Sequence, residues 1–422
     1  MNKVVTKFKE AEIGTIPEEW NIVSLGSIAE FNQGLQVPTE DQLPAKENGA
    51  VRFIRIVDFT KGGDEPPRYI KNVNNGNYNV EDDDLIMIRY GSQTAGKIVR
   101  GLKGIIANNM FKISLTDITV DKDYLYTYLS QKNVYDSLNK AQSSSTMPAI
   151  TFGMISMLPI PIPPRDEQKQ IAEILSSLDD KIELNRKINT NLEKLSSSLF
   201  KQWFVDFEFP NGNNKPYKSS GGKMVDSELG EIPEGFEIKR AISVLDFIKG
   251  VEPGAKKYFD KFEDGMIPFY RVGDMFNGAQ SIIYINKNDS KNVCCDYGDV
   301  LISTDGTVGR VVTGISGVYS GGIRKVVSLD KSITNGFIYF WLKSQYVQDK
   351  LKEHASSATT IAHASGALSD FIIPCNNTIV GRFGVIVQPI FDQFQKNLEE
   401  IIFLSNLRDS LLPRLMSGKI RV

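Results

Sequence analysis

Residues 159–210 read PIPIPPRDEQKQIAEILSSLDDKIELNRKINTNLEKLSSSLFKQWFVDFEFP. Four prolines in the first six residues cannot lie inside a helix, so the stretch opens as an extended lead-in. Asp166 to Trp203 then contains neither Gly nor Pro. Apolar residues recur at steps of three and four: Ile171, Leu175, Leu178, Ile182, Ile188, Leu192, Leu195 and Leu199. A stripe this narrow is closer to a coiled-coil seam than to the wide face of a core helix. The helix it predicts would be about 57 Å long, more than a small domain is wide. Such a helix in mid-chain joins two bodies and needs a partner for its stripe. It reads as a spacer.

A matching stripe occurs far along the chain, in VIVQPIFDQFQKNLEEIIFLSNLRDSLLPRLMSGKIRV, residues 385–422. It comprises Ile390, Phe391, Phe394, Leu398, Ile401, Ile402, Leu411 and Leu415. Pro389 suits a first helical turn, and Pro413 should end or kink the last. The two stripes could belong to ordinary amphipathic helices in separate domains. Their length and narrowness favour packing on each other. The expected seam places Leu178, Ile182, Asn185, Leu192 and Leu195 against Phe394, Leu398 and Ile401. A polar seam residue such as Asn185 would fix the register.

A chain of 422 residues is too long for one core and suits two domains with connectors. Hydrophobic content of 41% and charged content of 24% are those of a globular protein. The N-terminus carries no hydrophobic signal and no apolar run approaches membrane-spanning length, so a soluble, cytoplasmic protein is expected. Cys294 and Cys295 are adjacent and Cys375 stands apart, a pattern of reduced thiols that offers no metal cluster. With a net charge of −2, any nucleic-acid binding must use local basic patches.

The chain repeats itself. Glu12-Ile-Gly-Thr-Ile-Pro-Glu-Glu-Trp20 is matched by Glu228-Leu-Gly-Glu-Ile-Pro-Glu-Gly-Phe236, 216 residues later. Phe53-Ile-Arg55 with Asp58 meets Phe269-Tyr-Arg271 with Asp274 at the same offset. Asp84-Leu-Ile86 meets Asp299-Val-Leu301 at 215. Gly96-Lys97 meets Gly309-Arg310, and Ile160-Pro161 meets Ile373-Pro374, both at 213. So slow a drift marks a tandem duplication of globular unit and long helix. The expected boundaries are 1–163 and 208–375 for the globular units, with helices at 164–207 and 376–422.

Within each unit the pattern is mixed. Val51–Phe59, Asp84–Ile88, Ile98–Val99 and Met110–Leu115 predict strands, while Asp123–Leu138 and Gly336–Leu351 have helical spacing. The fold class is α+β: two similar α/β units separated by long helices paired as an antiparallel coiled coil. Asn211–Gly222 (NGNNKPYKSSGG) reads as a flexible linker at the seam between the halves.

No catalytic constellation emerges. The chain contains no GxxxxGK[ST], HExxH or CxxC. His354 and His363 have no counterparts in the first half, and Glu237-Ile-Lys239, which resembles part of a nuclease element, faces Asn21-Ile-Val23. Gly91–Gly96 lacks the following helix of a phosphate cradle. What recurs is a small-residue, hydroxyl and basic loop: Arg89-Tyr-Gly-Ser-Gln-Thr-Ala-Gly-Lys97 against Ser303-Thr-Asp-Gly-Thr-Val-Gly-Arg310. Glycines there could bring backbone N–H groups to phosphate, with Ser, Thr, Lys and Arg adding donors and charge. Candidate DNA contacts in the first unit are Arg89, Ser92, Gln93, Thr94, Lys97, Asn108, Asn109, Ser143, Ser144 and Ser145. Those in the second are Thr304, Thr307, Arg310, Arg324, Ser356, Ser357, Thr359 and Thr360. Gln and Asn suit adenine and Arg suits guanine. Any one of these loops alone would read as a solvent-facing turn.

These residues resemble the specificity subunit of type I restriction–modification systems. The resemblance is carried by the Gly-x-Ile-Pro-Glu-x-Trp/Phe openings at 14–20 and 230–236 and by the Pro-rich lead into Glu167-Gln168-x-x-Ile171-Ala172. Leu178-Asp179-x-Lys181-Ile182 and the ending Leu411-Leu-Pro-Arg-Leu-Met-Ser-Gly-Lys-Ile420 extend it over essentially the whole chain. It implies two target-recognition domains, each reading half of a bipartite site in double-stranded DNA through the major groove. It also implies a coiled-coil spacer on which two modification subunits dock. Those partners would bind S-adenosylmethionine and methylate adenine, restriction subunits would complete the nuclease, and this chain would itself be non-catalytic. One departure is visible: Ile373-Pro-Cys-Asn-Asn377 lacks the Arg-x-Glu-Gln segment, so the two docking faces are expected to differ. The residues alone leave two other readings open. One is a nuclease or methyltransferase with a coiled-coil insertion, which would act on DNA unaided; the other is a structural adaptor that does not bind DNA.

Overall fold

A computed structural model describes residues 7–60, 65–71, 76–91, 93–140, 149–228, 230–276, 283–356 and 365–422. The chain forms two compact units, Met1–Asp180 with Asn406–Val422, and Lys181–Ser405. In the first unit Met110–Leu115 pairs antiparallel with Ala29–Gln33 and Leu85–Ile88, and Ile98–Val99 completes the sheet. A second sheet runs Arg68–Ile70, Val51–Ile54, Gly104–Ile106, Asn79–Val80. Its central pair is parallel, with Phe53 beside Ile105 and Ile54 beside Ile106. Leu85–Ile88 is apolar throughout because both its faces are covered. Leu85 and Met87 pack with Trp20, Phe111 and Tyr124, while Ile86 and Ile88 pack with Phe53 and Ile105.

The second unit repeats the plan. One sheet runs Leu245–Lys249, Ile323–Ser328, Val300–Ser303, Val311–Val312; the other runs Ile283–Asn286, Met266–Tyr270, Val318–Tyr319. Phe269 lies parallel beside Val318 and Tyr270 beside Tyr319. The proline-rich lead-in is itself a strand: Pro159–Ile162 pairs with Asn21–Ser24, as Ile372–Cys375 pairs with Glu237–Arg240. A two-stranded ribbon has only edges, where proline is tolerated.

The long helices span Arg165–Phe204 and Asn377–Met416. Along the first, Ile171, Leu175, Leu178, Ile182, Asn185, Asn189, Leu192, Ser196, Leu199 and Trp203 alternate steps of four and three, and all are buried or half-buried. Along the second, Phe383, Val387, Ile390, Phe394, Asn397, Ile401, Leu404, Arg408, Leu411 and Leu415 do the same. This is a heptad seam. In the second unit the pairing is antiparallel: Asn185 Nδ2 donates to Glu400 Oε2 (2.7 Å), and Asn189 Oδ1 accepts from Asn397 Nδ2 (2.8 Å). Asn189 Nδ2 donates in turn to the Phe394 carbonyl (3.0 Å). In the first unit Arg408 Nη1 donates to Asp179 Oδ1 at 2.7 Å.

Six expected seam residues, Leu178, Ile182, Asn185, Leu192, Phe394 and Ile401, fall on these positions. Leu195 does not: it is 59% exposed, and Ser196 is buried in its place. Leu398 lies one residue off the seam, where it faces Gly314. Following apolar residues alone misses a heptad that continues through Asn189 and Ser196.

Other expectations are also corrected. The second helix begins at Asn377, well before the first turn expected at Pro389, with Asn376 Oδ1 accepting from Thr378 N (3.1 Å) and Ile379 N (3.2 Å). Val385–Val387 is therefore helix, Pro389 lies in its interior, and the helix continues through Pro413 to Met416. Pro389 is exposed, and the carbonyl it leaves without a helical donor belongs to Val385, itself 78% exposed, where water can serve. Phe383, Val387 and Phe391 hold the opposite face in the core. Val51–Phe59 is strand only to Ile54, then a helical turn at Ile56–Thr60. Asp123–Leu138 is two helices, Lys122–Leu129 and Lys132–Lys140. The supposed linker at 211–222 is folded: Asn211 Oδ1 accepts from Asn213 N and Lys215 N, and Tyr217 stacks on Phe209 at 4.7 Å.

The missing Arg-x-Glu-Gln segment has a physical account. Glu167, 5% exposed, accepts from Trp20 Nε1 (3.2 Å), Arg421 Nε (2.6 Å) and Arg421 Nη2 (2.9 Å). Buried Gln168 donates to the Thr119 and Pro163 carbonyls and accepts from Asp121 N. At the corresponding places of the second unit stand Phe236, Ile379 and Val380, all buried, with Phe209 stacked on Phe236 at 5.4 Å. One position is held by a charge network and its duplicate by apolar packing.

Removing one partner from such a network should cost more than the network contributes. Arg421→Ala is expected to lower stability by about 2 kcal/mol in urea unfolding, the low end because the arginine is one-third exposed. Asn397→Leu, which strands the buried Asn189 amide, should cost about 1–3 kcal/mol. Adding Asn189→Leu should recover most of that loss, giving a large coupling in the double-mutant cycle.

Candidate nucleic-acid interface

The parallel strand pair carries the same construction in both units. Past its end in the first unit stand Arg55 and Asp58: the Asp58 carboxylate accepts from Arg55 N (2.7 Å), Nε (3.3 Å) and Nη2 (3.4 Å). In the second unit Asp274 accepts from Arg271 N (3.0 Å), Nε (2.7 Å) and Nη2 (2.9 Å). Burial pushes the Asp274 carboxyl up, but its bonds to Arg271 hold it below the usual range, and they raise Arg271. The result is a guanidinium fixed in place by a carboxylate before any ligand arrives. The sequence repeat contained both pairs, although the candidate contacts omitted them.

A third segment closes on the same end. Leu35 bridges Ala107 in parallel, and Val251 bridges Ser320 in the same way. This approach requires glycine: a Cβ on Gly34 would lie 2.2 Å from the Ala107 carbonyl oxygen, and one on Gly250 2.1 Å from that of Ser320. The next residues are Gln36 and Glu252. Asn108 Nδ2 donates to Gln36 Oε1 at 3.4 Å, and Gln33 Nε2 donates to the Asn108 carbonyl at 3.2 Å. Gly321 N donates to Glu252 Oε1 at 2.8 Å. Asn109 and Arg89 adjoin the first cluster, with Arg89 N donating to the Asn109 carbonyl. Asn109 Oδ1 and Arg89 Nε are buried with no hydrogen-bond partner among the described residues.

The recurring loops spend many of their described backbone N–H groups internally. In the first, the N–H groups of Thr94, Ala95, Gly96 and Lys97 all bond within the turn or its strand, and Thr94 Oγ1 donates to the Tyr90 carbonyl (3.0 Å). Only Gln93 and Lys97 of the described candidates there are exposed. In the second, Thr304 is fully buried and donates to the Gly322 carbonyl (3.3 Å). Arg324 is buried too: Nη1 donates to the carbonyls of Gly321 (2.6 Å) and Ile323 (3.1 Å), and burial lowers its pKa. These two side chains shape the loop from within. Thr307 is exposed and Arg310 half-buried. Ser92, Ser143, Ser144, Ser145, Ser357, Thr359 and Thr360 lie outside the described residues, as does the Ser356 side chain.

Nothing at these places is arranged for covalent chemistry. His354 lies 3.4 Å from Asp370, and Lys239 lies 4.0 Å from Glu237 on a sheet strand. Cys295 and Cys375 are free thiols that burial pushes up to about 12 and about 11. No group of metal-binding side chains, and no helix long and apolar enough to cross a membrane, occurs among the described residues.

Comparison with known proteins agrees with this reading. The chain is 27% identical to the MjaIX type I restriction enzyme specificity subunit of Methanocaldococcus jannaschii, over 99% of this chain and 97% of that protein. It is 27% identical to the HindI specificity subunit of Haemophilus influenzae, over 70% of this chain and 76% of the relative. Among solved structures, the S subunit of a type I restriction–modification system from M. genitalium shares the fold, with a TM-score of 0.58 at 16% identity over 97% of this chain and 98% of that one. Residues 17–194 and 233–375, more than half the sequence, match the type I restriction modification DNA specificity domain, and the chain belongs to that family.

Proposed function

We propose that each unit reads one half of a bipartite double-stranded DNA site, and that the chain thereby directs adenine methylation and restriction by partner subunits in the cytoplasm. The observation that carries this is the carboxylate-held arginine, repeated at the end of the parallel strand pair in both units with different polar side chains around it. A constant cation suits phosphate, which is the same at every base pair, and variable side chains suit base edges. S-adenosylmethionine would be held by two modification subunits, with restriction subunits completing the assembly. The long helices would dock these partners. Supporting this, they expose large apolar side chains away from the seam: Leu195 at 59%, Phe403 at 65% and Val385 at 78%.

Arg271→Ala and Lys97→Ala should each weaken binding to all DNA sequences alike and reduce the salt slope by about one, read by titration at several salt concentrations. Arg324→Ala should instead lower stability by about 1.5–3 kcal/mol, since its donors are spent on carbonyls. Unchanged slopes in both of the first two variants would remove these cations from the interface. Leu195→Asp and Phe403→Asp should leave thermal unfolding within about 0.5 kcal/mol of the parent. Both should prevent co-purification with the modification subunits; normal assembly would exclude these faces as docking surfaces.

A further inference from the structure

Gln36 and Glu252 occupy one place in the duplicated frame. They are 216 residues apart, the offset that also relates Trp20 to Phe236 and Arg55 to Arg271. Each follows a glycine that lets its segment close on the neighbouring strand, and each comes next after a parallel bridge, Leu35 to Ala107 or Val251 to Ser320. Each also bonds the residue after that bridge, Asn108 or Gly321. The backbone is thus the same and the chemistry is not. In the first unit the Gln36–Asn108 pair uses one donor and one acceptor on itself. Gln36 Nε2 remains as a donor and Asn108 Oδ1 as an acceptor, with no partner among the described residues. In the second unit Asn108 is replaced by Gly321, which has no side chain, and Glu252 Oε1 is engaged by its N–H. What remains there is a carboxylate oxygen, an acceptor only.

Arg271 does not supply the missing donor in the way an amide would. It is tied to Asp274 through Nε and Nη2, as Arg55 is to Asp58, so it is common to both units. The phenol of Tyr258 is raised by burial first and then by the Glu252 charge, and lowered by Arg271, which puts all three groups in one neighbourhood. Arg324 is occupied with carbonyls. The difference between the Gln36–Asn108 pair and its counterpart Glu252–Gly321 is therefore donor plus acceptor against acceptor alone.

Base edges in the major groove differ in the same terms. Adenine presents an acceptor at N7 beside a donor at N6, which an amide matches, whereas cytosine presents a donor at N4, which a carboxylate accepts. We infer that Gln36 with Asn108 selects adenine at one position of the first unit's half-site, and that Glu252 selects cytosine at the equivalent position of the second unit's half-site. This rests on the reading that both units bind DNA.

The test uses the full chain assembled with its modification subunits and a DNA library randomised in both half-sites, with bound sequences counted. Glu252→Gln keeps an acceptor for Gly321 N and adds a donor, so the fold is retained. With Oε1 still held by Gly321 N, the free group becomes a donor, so one base of one half-site should shift from cytosine toward a purine, whose N7 accepts, by about tenfold or more, with the other half-site unchanged. Gln36→Glu should produce the reverse shift in the other half-site only. If either variant keeps the parent's preferences at every position, or if both variants alter the same half-site, the inference is overturned while DNA recognition by the chain stands. Should the parent enrich no bipartite sequence at all, the functional reading fails and takes the inference with it.

Discussion

Each forty-residue helix carries one stripe that water cannot accommodate, and most of the architecture follows from covering it. A helix of this length gains little from backbone propensity alone and depends on packing along its apolar side. Steps of four and three keep that side in line, so that within each unit a partner helix can cover it. The stripe is not wholly apolar. Asn185, Asn189 and Asn397 are buried in it, and their amides are satisfied by Glu400, by the Phe394 carbonyl and by each other. A buried amide whose bonds exist in only one alignment penalises every other alignment, whereas leucines slide with little loss.

Much of this was legible in advance because duplication writes the same constraint twice. The paired offsets pointed to two similar halves and contained the recurrent arginine. Sequence reading failed where tertiary context overrode a local signal. Pro389 reads as a helix start, yet the opposite helical face is so heavily buried that an interior proline on the wet side is tolerated. Asn211–Gly222 has the composition of a linker, but asparagine and glycine are also what a hydrogen-bonded turn needs. Two of the candidate contacts turn inward for a related reason. Thr304 and Arg324 have the chemistry to meet DNA, and spacing could not reveal that their donors are turned inward onto carbonyls. Nothing in the sequence distinguished Gln36 or Glu252 except the 216-residue offset, whose meaning depends on the strand register.

The two halves show what a duplicated fold is free to change. Trp20, Glu167 and Arg421 hold one junction through charge, while Phe236, Ile379 and Phe209 hold its counterpart through apolar contact. Replacing a buried ion pair by well-packed apolar groups is often neutral in energy, provided that no partner is left behind. The second unit has replaced the whole set, which is why the loss of its Glu-Gln segment carries no unsatisfied charge.

The same logic separates frame from reader at the proposed interface. Asp58 is almost fully buried and bonds both the backbone and the side chain of Arg55, so changing either residue would leave a buried charge or an unheld loop. Gly34 and Gly250 are confined in a different way, by carbonyl oxygens that leave no room for a Cβ. Those positions cannot vary without disturbing the fold. Gln36 and Glu252 are exposed and only tipped onto their neighbours, so exchanging an amide for a carboxylate there perturbs nothing beneath it. A site whose supports are buried and whose tips are not can change what it reads at little cost in stability, and such a surface can acquire new specificity by single substitutions.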